Sequence, residues 1–123
     1  MHADEIRLNE LSGRIIGCAF TVLNTLEAGF LEDVYENALA HELRKTGLDV
    51  VQQRGLTVTY DGVVVGQFFV DLIVEQALLT ASAWDEGHRA QCVNYLKASG
   101  LQPCLLLNFG KSRLETKRVA NGL

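Results

Sequence analysis

Between Leu8 and Leu26 the apolar residues Leu8, Leu11, Ile15, Ala19, Val22, Leu23 and Leu26 return at steps of three and four. That is the period of one face of an amphipathic helix. Glu27-Ala28-Gly29 interrupts it, with Gly29 as the expected end. The same period predicts a second helix from about Leu31 to Lys45, with Val34, Ala38, Leu39, Glu42 and Leu43 along one broad side. Arg44-Lys45 followed by Gly47 is its stop signal. Beyond Gly47 the pattern changes. Leu48 to Arg54, Leu56 to Tyr60, Val63 to Glu75 and Ala77 to Trp84 are rich in Val, Thr, Phe and Leu and read as strands. Asp61-Gly62 is a strong hairpin signal and Glu75-Gln76 a weaker one. Gly66, inside the longest run, predicts a bend or bulge. A third helix is expected from about Asp85 to Ser99, closed by Gly100. The continuous apolar run Pro103 to Phe109 predicts a buried strand, and the intervening helix predicts a crossover with a locally parallel pair. Leu114 to Val119 is a candidate edge strand. The expected order is αα-ββββ-α-β(β), an α/β domain with a mixed sheet flanked by helices.

Composition narrows the class. The 123 residues suit one domain, and 48% apolar content with a single proline excludes a linker-rich or disordered chain. No apolar run approaches the roughly 20 residues of a bilayer span, so no membrane association is expected. The polar, acidic start Met1-His2-Ala3-Asp4-Glu5 is unlike a signal peptide, which makes a cytoplasmic location the expectation. Cys18, Cys92 and Cys104 are odd in number and widely spaced, which argues against a disulfide framework or a zinc knuckle and for buried, reduced thiols. His88 and Cys92 stand four apart, but no third group marks them as a nucleophilic pair.

Charge is divided unevenly. Residues 1–86 carry five Lys/Arg against fourteen Asp/Glu, and residues 87–123 carry six against Glu115 alone. The six are Arg89, Lys97, Lys111, Arg113, Lys117 and Arg118. A basic end on an acidic chain is a candidate footprint for the phosphates of nucleic acid; the alternative is a solvated tail.

The candidate chemistry centres on Asp71, set among Phe69-Val70 and Leu72-Ile73-Val74. A carboxylate there is costly if buried without a partner. Glu32 on the second helix, with Gln91 and Tyr95 four apart on the third, are groups that could converge with it at one end of a sheet. Carboxylates so placed would hold Mg²⁺ or Mn²⁺, which would act as Lewis acid and hydroxide source for phosphodiester hydrolysis. Each residue also has a plainer reading: Glu32 at the positive end of its helix, Tyr95 in the core, Gln91 on the surface, Asp71 at a solvated strand end.

Gly29-Phe30-Leu31-Glu32-Asp33-Val34-Tyr35 matches the pattern that names the GxxExxY proteins, and the chain resembles that bacterial branch of the PD-(D/E)XK nuclease-like superfamily. The resemblance continues through Ala38 to Leu43, Val70 to Glu75, His88 to Gln91, Asn94 to Gly100, Leu105 to Gly110 and Lys117-Arg118. It implies a divalent-metal site built from a helix Glu, a strand Asp and a following Glu-x-Lys. Glu32 and Asp71 match the first two. Gln91 and Tyr95 resemble the helix motif that supports the active-site face in exonuclease-type members.

The Glu-x-Lys is not matched: Ala81 stands at the glutamate's place and Ala83 at the lysine's. Without them an anionic ligand and the cation that would orient water are lost, and hydrolysis should nearly vanish. Glu75 or Glu86, with Arg89 or Lys97 supplying charge, are the candidates for rescue. Three functions follow as expectations: a degenerate nuclease-fold protein that binds nucleic acid or a protein, an active nuclease with a relocated ligand, or a structural homodimer.

Overall fold

The computed structural model describes residues 2–75, 78–81, 94, 104–109 and 113–119. Two helices, α1 (His2–Leu26) and α2 (Glu32–Lys45), precede strands β1 (Val50–Tyr60), β2 (Val63–Val74), β3 (Leu78–Ala81), β4 (Cys104–Asn108) and β5 (Glu115–Val119). They form one sheet of order β1-β2-β3-β4-β5. The β3–β4 pair is parallel and the others antiparallel. The mixed sheet, the parallel pair and the β5 edge strand are as expected. The third helix falls outside the described residues, apart from the helical Asn94.

Helix α1 begins earlier than its apolar period, because polar residues with helical propensity carry it back to His2. Helix α2 ends where expected. Gly47 takes φ +87°, Leu48 N–H donates to the Leu43 carbonyl and Gly47 N–H to that of Arg44, so the last turn's free acceptors are satisfied.

The strand reading needs one correction. Residues 48–54 and 56–60 are not two strands: β1 runs unbroken through Arg54 and Gly55. Gly55 is no breaker because Phe69 pairs with it, and a Cβ at position 55 would meet the Phe69 ring at 3.1 Å. The missing side chain is replaced by a neighbour's ring. Asp61 and Gly62, both at positive φ, form the two-residue hairpin turn. The expected irregularity near Gly66 is present, since the register jumps between Val58 and Thr59 and leaves Val65 as the extra residue.

One face of the sheet packs on the helices. Leu72, Val74, Leu105 and Leu107 join Leu11, Ile15, Ala19, Leu39 and Leu43 in a buried cluster. Tyr35 closes it, its ring stacked on Phe109 with centroids 5.0 Å apart. Its hydroxyl donates to the Glu27 carbonyl at 2.6 Å and accepts from Phe30 N–H at 3.1 Å. The α1–α2 link, where Glu27 and Gly29 both take positive φ, is thereby tied to the core. Cys104 is buried and Cys18 half-buried, both free thiols, and Cys92 lies outside the described residues. No helix among the described residues is long and apolar enough to cross a membrane.

Candidate functional site

Asp71 sits in β2, half-buried. The sheet register sets Gln53 of β1 across from it, between the Gln52–Leu72 and Arg54–Val70 pairs. One step beyond the Leu72–Thr80 pair, the same register sets Ala81, the last residue of β3, on its other side. Alanine brings no oxygen ligand to that position. Ala83 lies outside the described residues.

The acid joined to Asp71 comes from the second turn of α2. Glu36 is buried, with 6% of its surface exposed. Its Oε1 accepts from Gln53 Nε2 at 2.7 Å, and the same nitrogen lies 3.3 Å from Asp71 Oδ1. Glu36 Oε2 accepts from Gln52 Nε2 at 2.9 Å, which also donates to Asn37 Oδ1 at 2.8 Å. Gln52 Oε1 in turn accepts from Arg44 Nη1 at 3.1 Å, while Arg44 Nη2 bonds the Val50 carbonyl at 3.0 Å. The chain of contacts therefore runs Arg44, Gln52, Glu36, Gln53, Asp71. Each amide donates toward a carboxylate, and a guanidinium stands at the far end. This is how a buried acid without a direct ion pair is accommodated.

Gln53 reaches this position at φ +52°. A non-glycine residue in the left-handed region costs on the order of 1–3 kcal/mol and persists where its surroundings hold it. Here the two carboxylates supply that hold. Glu32 is exposed at the first position of α2, one turn before Glu36, and makes no hydrogen bond or ion pair with a described residue. The structure thus brings Glu36 to Asp71, with Glu32 on the same side of the helix four residues earlier. Gln91 and Tyr95 lie outside the described residues.

Glu36, Gln52 and Gln53 were not singled out by sequence pattern. The available signals were two amides breaking an apolar strand and an acid one turn after Glu32. Among the basic candidates, Arg113, Lys117 and Arg118 are exposed on or before β5. Arg118 Nη1 donates to Asn9 Oδ1 of α1 at 2.7 Å, so part of its donor capacity is used within the chain. Arg89, Lys97 and Lys111 lie outside the described residues.

Could these residues hold a divalent ion? Two carboxylates approach each other, but both Glu36 oxygens already accept from amide N–H groups. Among the described residues no group of three His, Cys, Asp or Glu side chains comes together for a metal. The described donor set does not make a finished metal site.

A sequence model of the PD-(D/E)XK nuclease superfamily matches residues 9–119. The chain belongs to that superfamily. The crystal structure of SSO0001 has a similar fold, with a TM-score of 0.56 and 16% identity over 75% of this chain. The matched region spans about half, 51%, of that longer chain. No curated protein matches. PD-(D/E)XK members commonly use divalent metals.

Proposed function

We propose that this chain is a PD-(D/E)XK-fold protein that has lost hydrolysis and acts by binding nucleic acid. The observation that carries this reading is the occupancy of the site: alanine stands across from Asp71, and both oxygens of Glu36 are held by amides. A ligand set arranged for Mg²⁺ would leave carboxylate oxygens open to the ion and its waters. The exposed Arg113, Lys117 and Arg118 at the β5 edge are the candidate phosphate contacts.

The test is one titration and one cleavage assay. Fluorescence anisotropy with labelled single- and double-stranded DNA and RNA is expected to show binding that weakens steeply with salt. Incubation with Mg²⁺ or Mn²⁺ is expected to leave the substrates intact, with wild type and Asp71→Ala alike. Salt-insensitive binding, or none, would remove the nucleic-acid reading and direct attention to a protein ligand.

Glu36 supports one second reading, an active nuclease with a relocated ligand, because it supplies a second acid beside Asp71. Cleavage that disappears with chelator, in Asp71→Ala and in Glu36→Ala would establish it against the first.

A further inference from the structure

The space between Glu36 and Asp71 is taken by an amide. Gln53 Nε2 lies 2.7 Å from Glu36 Oε1 and 3.3 Å from Asp71 Oδ1. An NH₂ group carries two protons, so a single nitrogen serves both acids. A divalent cation shared by the same two oxygens would stand in the same place, since such ions hold oxygen ligands at about 2.0–2.6 Å. Amide and ion therefore compete.

The backbone favours the amide. Gln52 pairs with Leu72 and so lies on the helix side of the sheet, where its amide takes Glu36 Oε2 and Asn37. Gln53 follows it, and in a regular strand it would project only to the Asp71 side. At φ +52° it reaches Glu36 as well. An entering ion must displace the Gln53 bond to Glu36 and shed water of its own, which Mg²⁺ does reluctantly.

We infer that Gln53 stands in for the cation: its amide occupies the place between the two acids and closes the pair to divalent ions. The acids then serve as a brace between α2 and the β1–β2 strands. This rests on the reading that the site has lost its metal chemistry, and not on nucleic acid being the ligand.

Mn²⁺ binding to the full chain, read from the electron paramagnetic resonance of the free ion, tests it. Wild type is compared with Gln53→Gly, which keeps the positive φ without strain and removes the amide. The variant is expected to bind Mn²⁺ at least about tenfold more tightly, the weight of one hydrogen bond to an ionised group. Adding Glu36→Gln to Gln53→Gly should cancel the gain. Gln52→Ala frees Glu36 Oε2 but leaves the Gln53 amide in place, so it should bind like wild type. Far-UV circular dichroism checks each fold. If Gln53→Gly does not fold, Gln53→Asn replaces it, because asparagine tolerates positive φ and its shorter side chain does not span both acids. A folded Gln53 variant with wild-type affinity overturns the inference, as does a gain that survives Glu36→Gln or is matched by Gln52→Ala. Failure of the nucleic-acid reading shows separately, as missing binding in the anisotropy titration with these Mn²⁺ affinities unchanged.

Discussion

Replacing Glu36 with glutamine keeps the side chain's shape and removes its charge, which sets two effects against each other. The carboxylate accepts one amide N–H at each oxygen. A hydrogen bond to an ionised group contributes roughly 1.5–3 kcal/mol, and an amide in its place would turn an NH₂ toward one of the two donors. Against this stands the charge on Asp71. Through the shared Gln53 nitrogen the two acids' oxygens are no farther apart than 2.7 Å and 3.3 Å end to end. At about 6 Å two full charges repel by roughly 3 kcal/mol at an effective dielectric of 20, and by less than about 1 kcal/mol in bulk water. Two bonds outweigh one screened repulsion, so Glu36→Gln is expected to destabilise by about 2 kcal/mol. For a chain of this length that lowers Tm by roughly 6–10 °C. Asp71→Asn relieves the same repulsion while weakening the longer Gln53 contact, so those two effects oppose each other. Thermal and urea unfolding followed by circular dichroism measure both. A Glu36→Gln protein as stable as wild type, or more so, would mean that repulsion dominates and that the amide bridge does not hold the two acids.

Other expectations follow from single residues. Tyr35→Phe keeps the stack on Phe109 but strips the hydroxyl from Glu27 and Phe30, at about 1–2 kcal/mol, measured by urea unfolding; an unchanged midpoint would refute the tie. Ser12 is buried and its hydroxyl has no partner among the described residues, so Ser12→Ala should raise stability by up to about 1 kcal/mol. Burial, and then the Glu42 carboxylate, push the Cys18 thiol above its ordinary value of 9.0, against opposing pulls from Arg14 and Lys45. The folded state thus keeps its proton longer than the unfolded chain, so its contribution to stability is present below pH 9.0 and fades as pH rises through the raised value. In Cys18→Ser that alkaline fall in Tm should be smaller. At β5, Lys117→Glu should weaken nucleic-acid binding more than Arg118→Ala, because Arg118 already spends a donor on Asn9; anisotropy compares the two.

Periodicity and punctuation were enough for both helices, the Asp61-Gly62 turn, the irregularity beside Gly66 and the parallel β3–β4 pair, because each rests on local sterics or on chain connectivity. Gly55 was misread as a strand break for the opposite reason. What keeps it in β1 is Phe69, fourteen positions away and visible only once the strands are paired. The same limit applies to the site. Asp71 stands out in the sequence because an acid in an apolar strand is costly. Glu36, Gln52 and Gln53 do not stand out, since a helical acid and two strand amides are ordinary in isolation. Packing α2 over the edge of the sheet brings them within hydrogen-bond distance and bends Gln53 to a positive φ. The sequence by itself determined which elements form and where an acid is out of place. Only the tertiary structure decided which acid meets it, because that depends on side chains far apart in the chain sharing the same few ångströms.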